Sequence, residues 1–236
     1  MGATAPGRED SWPESSLLGG LARPALERFL ELGTRVPFPA GRVLMREAER
    51  SDFVLILLSG VVKATGLTHD GRDALLAVRM GGDLVGELAA VDGEPRSATV
   101  TACGPVAARV VQRDDFLGFL RRDPGTAHAV NASVVAKLRA ANTLRIDFTG
   151  CDATTRLARV LHQIAMTHGV RVGAAVMIPW PITQPELATL AGAAEPTVQK
   201  ALRKLRAAGV IATGYRTVRI EDLTRLRDIA FDEREW

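Results

Sequence analysis

The stretch "GGDLVGELAAVDGEPRSATV", residues 81–100, is a loop rich in turn-forming residues that lies between apolar segments of strand length. It contains Gly86-Glu87 near its start and Arg96-Ser97 near its end. The local hydrophobic pattern requires neither a buried glutamate nor a buried arginine. These charged residues therefore indicate a binding loop, and the segments around it indicate the domain that presents it.

Short apolar runs surround the loop and predict strands. They are RVLM, FVLILLSGVVKAT, ALLAVRM, ATVTA and VAARVV, separated by turn signals such as HDGRD, GGD, DGEP and CGP. Such spacing is typical of an antiparallel β-sandwich or roll. We predict a β-roll domain over residues 21–123, opened by a short helix near residues 21–32 and preceded by a flexible N-terminal tail at residues 1–20.

A helical pattern replaces the strand pattern after Gln112. Beyond a short helix that Pro124 closes, apolar residues recur every three or four positions at Val130, Val134, Leu138, Ala141, Leu144 and Phe148. We predict one long helix and a hinge over residues 124–151. An apolar seam of this length commonly pairs with a copy of itself, which predicts a homodimer. The alternative is that the helix lies on its own β-domain.

A second domain is predicted at residues 152–236. Its first helix has the cap residue Asp152 at its start and Gly169 at its end. The segment ITQPELATLAGAAEPTVQKALRKLRAAGVI then has helix-turn-helix spacing, with Gly192 in the turn and an apolar inner face on the second helix. The following GVIATGYRTVRIED alternates around Gly214 like a small hairpin wing.

Basic residues are concentrated in this second domain. The formal net charge is only +3, but residues 196–220 contain six basic residues and no acid. The outer face of the second helix carries side chains that bind base edges and phosphates, namely Thr197, Gln199, Lys200, Arg203 and Lys204. This local basic face predicts double-stranded DNA as a partner. The alternative is an ordinary solvated basic face.

Several classes of protein are excluded by the composition. No apolar run has the length needed to cross a bilayer, and residues 1–16 lack the apolar core of a signal peptide, so we expect a cytoplasmic protein with no membrane partner. The cysteines Cys103 and Cys151 and the four histidines show no metal-ligand spacing. Since nucleophile motifs and a Walker loop are also missing from the sequence, we predict that the protein is not an enzyme and binds no metal.

The order of these segments carries a family resemblance. A β-roll, the loop GDLVGELAAVDGEPRSATV, a long helix and ITQPELATLAGAAEPTVQKALRKLRAAGVI together resemble the cyclic-AMP receptor protein and fumarate-nitrate-reduction regulator superfamily of transcription factors. The resemblance covers roughly residues 21–221. It implies an α+β fold: an N-terminal double-stranded β-helix, jelly-roll-like, that binds a cyclic nucleotide, a long dimerisation helix, and a C-terminal winged helix-turn-helix.

The resemblance is most specific in the loop. Cyclic-nucleotide-binding members have Gly-Glu, a short helix and then Arg-Ser-Ala, which implies a ligand site of Gly86, Glu87, Leu88, Arg96, Ser97 and Ala98. Arg96 and Ser97 suit the single phosphodiester charge through charge-assisted hydrogen bonds. Glu87 is expected to accept from the ribose 2′-hydroxyl and to hold Arg96 in place. The alternative is a Glu87–Arg96 salt bridge that braces an empty loop.

Contacts to the base are expected from the long helix. The family uses a Thr-Ser or Thr-Asn pair there, shared between subunits. Counting back from Asp152 puts Ala141 and Asn142 at these positions, with Thr143 next. We predict base contacts from Asn142 and Thr143 and cAMP as the ligand, with cGMP as the alternative. Asn142 has a second interpretation, as a polar residue that sets helix register in a dimer seam.

The resemblance also implies the residues that contact DNA, which are Thr183, Gln184, Glu195, Thr197, Gln199, Lys200, Arg203, Lys204 and Arg216. The family's recognition helix opens with Arg-Glu-Thr-Val and has a second arginine four residues after that glutamate. Here Glu195 and Pro196 open the helix, and Lys200 replaces the second arginine. Loss of a bidentate arginine removes the strongest guanine contact, so we expect an operator that differs from the family's usual half-site.

These expectations combine into one function: a homodimeric regulator that responds to a cyclic nucleotide, binds operator DNA and has RNA polymerase as a further partner. One alternative is a family member whose DNA binding is independent of cyclic nucleotide. Another is a cyclic-nucleotide-binding regulatory subunit that acts through protein partners. Haem-sensing members need a ligand in the β-domain, for which His69 and Cys103 are the candidates.

Overall fold

A computed structural model describes residues 12–231 of the chain. Within this range the chain forms two compact units: residues up to Leu67 together with Ala77–Lys137, and Thr68–Leu76 together with the residues from Leu138 onward. One helix, Pro124–Gly150 (α4), begins in the first unit and ends in the second. It is therefore a covalent link between the two.

Two antiparallel sheets form the roll. Their strands are β1 (Thr34–Phe38), β2 (Val43–Met45), β3 (Phe53–Ser59), β4 (Val61–Leu67), β5 (Asp73–Met80), β6 (Leu84–Val85), β7 (Thr99–Ala102) and β8 (Val106–Gln112). One sheet has the order β1-β8-β3-β6 and the other β2-β7-β4-β5. Alternate inward residues of both sheets build the core, so the predicted β-roll and the α+β fold class are confirmed.

Three short helices close the first unit: α1 (Arg23–Leu30), α2 (Glu87–Asp92) and α3 (Arg113–Arg122). An aromatic cluster joins two of them, since the ring of Phe29 lies 6.4 Å from that of Phe116 and 5.5 Å from that of Phe119. Residues 12–20, which the sequence assigns to the flexible tail, pack on this unit. Leu18 is fully buried in the core, and the indole of Trp12 donates to Leu58 O at 2.9 Å. Residues 1–11 of the expected tail lie outside the described range.

Helix α4 changes its surroundings along its length. Its first turn is capped by Asp123, whose carboxylate accepts from Thr126 N at 3.0 Å. Val130 is buried in the core of the first unit. Farther along, members of the predicted apolar seam are exposed in the single chain: Leu138 is 59% and Phe148 42% exposed. The start of the helix thus lies on its own domain, while the later apolar residues have the exposure that a dimer contact needs.

The second unit is a winged helix-turn-helix, as predicted. It contains α5 (Ala153–His168), β9 (Val170–Val172), β10 (Ala175–Met177), α6 (Gln184–Leu190), α7 (Glu195–Ala207), β11 (Ile211–Gly214), β12 (Thr217–Ile220) and α8 (Leu223–Phe231). Asp152 caps α5 by accepting from Thr154 N at 2.6 Å and Thr155 N at 3.0 Å, and the helix ends at Gly169. Among residues 12–231, no helix has the length and apolar character to cross a bilayer.

Candidate ligand pocket and nucleic-acid interface

The binding loop turns at Gly86, between β6 and α2. Gly86 has φ +86°, a region that favours glycine. A Cβ atom at this position would lie 2.6 Å from both Arg96 Nη1 and Met45 Cε. Glycine is therefore needed twice over, for the backbone turn and for the close approach of Arg96.

A cavity of about 160 Å³ opens at this loop. It is lined by Met45, Ala64, Arg79, Leu84, Val85, Gly86, Glu87, Leu88, Ala89, Arg96, Ser97, Ala98, Val100 and Lys137. The loop residues expected to bind the ligand, Gly86 to Leu88 and Arg96 to Ala98, all belong to this lining. Three cationic side chains and one carboxylate face the same small volume, which gives the pocket a positive balance suited to an anion.

Arg96 is the buried cation of the pocket, only 3% exposed. Its Nε donates to Ser51 Oγ at 2.8 Å, Nη1 donates to Gly86 O at 2.8 Å, and Nη2 donates to Phe53 O. A guanidinium has five N–H groups, so one remains on each terminal nitrogen for an anionic ligand. Burial lowers the pKa of Arg96, and the carboxylates of Glu49, Asp52 and Glu87 oppose this shift.

Glu87 pairs with Lys137, a residue that the sequence analysis did not single out. Glu87 is 4% exposed, and its Oε1 accepts from Lys137 Nζ at 2.8 Å. The same Nζ donates to Leu84 O at 2.8 Å. Burial lowers the pKa of Lys137, while the Glu87 charge opposes that shift. The direct Glu87–Arg96 bond expected from the sequence is thus replaced by a Glu87–Lys137 bond, and Arg96 is held by Ser51 and two carbonyl oxygens.

A signal for Lys137 was present in the sequence. Lys137 stands seven residues after Val130, which places the two on the same face of α4. Because Val130 is buried, a lysine two turns later on that face must either bury its amine or direct it to an acid. We interpreted the helix from its apolar residues alone and did not identify Lys137 as a residue of the site.

We expect Lys137→Met to lower the free energy of unfolding by about 1–3 kcal/mol, because Glu87 is then buried without its cation. Adding Glu87→Gln should recover most of the loss. Urea denaturation of the two single variants and the double variant gives the coupling, expected at about 0.5–3 kcal/mol. Losses that simply add would contradict a stabilising ion pair.

The predicted base-contacting residues lie farther along α4, in the second unit. Asn142 and Thr143 are both exposed, and Thr143 Oγ1 donates to Arg139 O at 3.0 Å within the helix. Their contact with a base therefore stays a prediction. His69 is exposed in the β4–β5 turn and Cys103 is partly buried after β7. Residues 12–231 hold no cluster of three or more His, Cys, Asp or Glu able to bind a metal ion.

The helix-turn-helix presents its polar side chains outward. Gly192, at φ +56°, makes the turn between α6 and α7, and the inner residues Val198, Leu202 and Leu205 are buried. On the outside, the predicted DNA-contacting residues Gln184, Glu195, Thr197, Gln199, Lys200, Arg203, Lys204 and Arg216 are all exposed. This exposure is compatible with the predicted contacts, which stay predictions.

Thr183 has a structural task in addition. Its backbone N–H donates to Glu186 Oε2 at 2.7 Å, and its hydroxyl accepts from Glu186 N at 3.3 Å. This is a capping box that fixes the start of α6. The hydroxyl also donates to Glu186 Oε2 at 2.9 Å, so a DNA contact from this side chain would compete with the cap.

Comparison with known proteins supports both the β-roll with its pocket and the helix-turn-helix. Residues 35–123 match the family model of the cyclic nucleotide-binding domain, and residues 155–229 match that of the Crp-like helix-turn-helix domain. A CRP-like cAMP-activated global transcriptional regulator of Mycobacterium tuberculosis is 32% identical over 191 residues, which cover 81% of this chain and 85% of that protein. The chain belongs to the CRP/FNR family.

Other members of the CRP/FNR family align over most of the chain. A cyclic AMP receptor protein of Thermus thermophilus is 29% identical, covering 92% of this chain and 97% of that protein. FixK2 from Bradyrhizobium japonicum shares the fold at a TM-score of 0.71 and 21% identity, covering 84% of this chain and 97% of its own. The protein is therefore a DNA-binding transcription regulator with a cyclic-nucleotide-binding domain, and its relatives are regulators, not enzymes.

Proposed function

We propose that this regulator is a cytoplasmic homodimer whose affinity for operator DNA is controlled by cAMP, with cGMP as the alternative ligand. In this proposal residues 21–123 bind the nucleotide, residues 124–151 dimerise, and residues 152–236 bind DNA. The observation that carries it is the buried Arg96 with two unused N–H groups beside Ser97, in a pocket with a positive balance. Two curated relatives named for cAMP support the choice of ligand.

Lys137 gives the proposal a mechanism. The cavity of about 160 Å³ is smaller than the range of about 300–1,000 Å³ usual for small-molecule sites. A nucleotide therefore needs room that side chains of the pocket now occupy. A ribose that donates to Glu87 would take the place of Lys137 Nζ and leave that amine to a phosphate oxygen or to solvent. Because Lys137 is part of α4, exchange of its partner biases the position of that helix. The ligand would thereby act on the helix that continues into the DNA-binding unit.

The dimer part of the proposal is supported by α4. Leu138, Ile146 and Phe148 are exposed apolar side chains in its second half, where they would be covered by the same helix of a second copy. Asn142 and Thr143 are also exposed on this half, and in this proposal the base contacts expected of them come from the second copy. A twofold dimer would place two α7 helices in successive major grooves. RNA polymerase is the further partner expected of an activator of this family.

Titration calorimetry tests the ligand directly. We expect cAMP to bind with one site per chain and cGMP to bind more weakly. A mobility-shift assay with random-sequence and selected duplexes, with and without cAMP, then measures control of DNA binding. Equal DNA affinity in both conditions, together with no heat from either nucleotide, would reject control by cyclic nucleotide while leaving DNA binding intact.

A second candidate function has an observation in its favour. Three N–H groups of Arg96 and the amine of Lys137 already have partners within the protein. A pocket satisfied in this way is stable without a ligand, as expected of a family member that binds DNA independently of cyclic nucleotide. The same calorimetry separates the two functions. A regulatory subunit acting only through protein partners is disfavoured, because residues 155–229 match a Crp-like helix-turn-helix.

Two substitutions test the contacts that α7 makes with DNA: one is expected to change the base preference, and the other is expected to weaken binding to all sequences. Glu195→Arg removes a negative charge near the duplex and adds a bidentate guanine contact, worth about 1–3 kcal/mol at one base pair. Arg203→Ala is expected to weaken all sequences alike and to reduce the salt dependence by about one unit of slope. Selection from random duplexes should therefore give a changed motif for Glu195→Arg and the wild-type motif for Arg203→Ala. The reverse pattern would mean that α7 docks in another orientation.

A further inference from the structure

The ligand pocket contains one charged side chain to which no part of the nucleotide has been assigned. Five of the residues that line the cavity have polar side chains, namely Arg79, Glu87, Arg96, Ser97 and Lys137, and the other lining residues are apolar or glycine. The phosphate is assigned to Arg96 and Ser97, and the ribose to Glu87, which exchanges Lys137 for it. Arg79 is the polar side chain that remains, among apolar residues suited to the flat faces of a base.

Arg79 has most of its hydrogen-bonding capacity available. It lies in β5, is half-buried, and its Nη1 donates to Val78 O at 2.8 Å. A guanidinium has five N–H groups, so four remain for other partners. Within residues 12–231 the bonds of Arg79 include no carboxylate. The side chain is therefore held against its own strand without being neutralised.

The charge of Arg79 acts on the second cation of the pocket. Burial lowers the pKa of Lys137, Glu87 opposes that shift, and the charge of Arg79 adds to it. Three cations and one carboxylate line the cavity, whereas a cyclic mononucleotide carries a single negative charge on its phosphodiester. One cation is then left without a charged partner on the ligand. The hydrogen-bond acceptors of the base are the groups that can still meet it.

The two candidate bases differ in the acceptors that they offer to a guanidinium. Guanine has O6 and N7 side by side, and both accept. Adenine has N7 beside the N6 amine, which donates. The planar fork of an arginine can therefore make two parallel bonds to guanine, while with adenine it makes one bond and directs a second N–H at another donor.

We propose that Arg79 binds the O6–N7 edge of a guanine base and is the residue that lets this pocket accept cGMP. The inference rests on the proposed binding of a cyclic nucleotide by the same pocket, and it adds the side chain that sets the ratio of the affinities for cGMP and cAMP. Arg79 contacts the base, whereas Arg96 contacts the phosphate, so the two arginines have separable effects on binding.

Titration calorimetry of wild type and Arg79→Leu with three nucleotides tests the contact. The third is cyclic inosine monophosphate, which has O6 and N7 but lacks the 2-amino group of guanine. Arg79→Leu should weaken binding of cGMP and of the inosine nucleotide by about tenfold to a hundredfold, and of cAMP by less than about threefold. Arg79→Lys keeps the charge without the fork and should lose most of the same affinity for cGMP.

A modified ligand tests the same bond from the other side. The 7-deaza analogue of cGMP lacks the N7 acceptor, so it should bind the wild type more weakly than cGMP does. Its affinity should also fall less than that of cGMP on Arg79→Leu, because one of the two bonds is already missing. Equal losses for cGMP and its 7-deaza analogue would contradict a bond to N7.

Arg113→Leu is the matched control. Arg113 is also half-buried and also bonds a main-chain oxygen, with Nε donating to Ala90 O at 2.7 Å, but it does not line this cavity. Its loss should leave the ratio of cGMP to cAMP affinity unchanged. Urea denaturation should show that both Leu variants are folded under the conditions of the titrations.

The possible failures are distinguishable. Equal losses for all three nucleotides in Arg79→Leu would assign Arg79 to the phosphate and overturn the base contact alone. Unchanged affinities in that variant would do the same, and so would a wild type that binds cAMP but neither of the other two nucleotides. A wild type that binds none of the three would overturn the proposed nucleotide binding and the base contact together.

Discussion

Arg96→Leu is expected to abolish cyclic-nucleotide binding and to destabilise the roll at the same time. Binding is lost because the phosphodiester then meets no buried guanidinium. The roll is destabilised because Arg96 donates to Ser51 Oγ and to the carbonyl oxygens of Phe53 and Gly86. Leucine would leave these partly buried acceptors without their donor, at a loss of about 1–3 kcal/mol in the free energy of unfolding.

A matched control separates the two effects. Arg109 also donates to carbonyl oxygens of the roll, with Nε to Leu32 O at 2.6 Å and Nη2 to Gly33 O at 2.9 Å, but it does not line the pocket. We expect Arg109→Leu to destabilise the protein and to keep its affinity for cAMP. Urea denaturation followed by calorimetry at a temperature where both variants are folded makes the comparison. Unchanged nucleotide affinity in folded Arg96→Leu would remove Arg96 from the ligand site.

Arg96→Lys tests the role of geometry in the same site. Lysine keeps the charge but has no planar fork, so it cannot bond Ser51, Gly86 and Phe53 and still present two parallel N–H groups to a phosphate. We therefore expect weaker binding than in the wild type even where stability is largely retained. Full affinity in Arg96→Lys would indicate that charge alone holds the ligand.

Local signals in the sequence were sufficient for most of the fold. Asp152 and Gly169 mark the ends of α5 because capping and helix termination depend on a few adjacent residues. Gly192 marks the turn of the helix-turn-helix for the same reason. The strand β9, only three residues long and exposed throughout, carries no alternating pattern and was missed. Leu18 was assigned to the tail because its burial depends on a distant surface of the roll.

In the candidate site, the sequence indicated the residues of the loop but not the residues that bond to them. Gly86, Glu87, Arg96 and Ser97, which the sequence places in one loop, all line the same cavity, and their role in binding stays a prediction. The sequence did not indicate their partners within the protein. Lys137 reaches Glu87 from another helix, and Ser51 reaches Arg96 from a loop 45 residues away in the chain. Such pairings depend on tertiary packing, which a periodicity in one sequence does not encode.

Arg156 and the ring of Phe148 both connect the end of α4 to the turn of the helix-turn-helix. Arg156 Nη1 donates to Cys151 O at 2.7 Å and to Phe148 O at 3.4 Å, at the end of α4. Its Nε donates to Ala191 O at 2.7 Å and its Nη2 to Gly192 O at 3.2 Å, in the turn before α7. The ring of Phe148 covers Gly192 so closely that a Cβ there would lie 2.5 Å from Phe148 Cε1. We therefore expect a displacement of the end of α4 to move the turn that orients α7.

Arg156→Gln is accordingly expected to keep cAMP affinity while uncoupling it from DNA binding. Ligand control in allosteric proteins typically corresponds to a coupling of about 1–3 kcal/mol, or about 5- to 150-fold in affinity. In Arg156→Gln we expect cAMP to change DNA affinity by less than about twofold, because glutamine cannot bond both carbonyl groups at the end of α4 and both in the turn. Anisotropy titrations with and without cAMP measure the ratio, and calorimetry checks the ligand affinity.

Arg227→Gln removes the same charge from α8, where Arg227 pairs with its neighbour Asp228 and has no bond to α4 or to the turn before α7 among the contacts of residues 12–231, and it should keep the wild-type ratio. Gly192→Ala gives a second test at the other side of this contact, because the added methyl must displace the Phe148 ring and also strains the backbone at φ +56°. We expect it to reduce the ratio as well. If both Arg156→Gln and Gly192→Ala respond to cAMP as the wild type does, the position of α4 reaches α7 by another route.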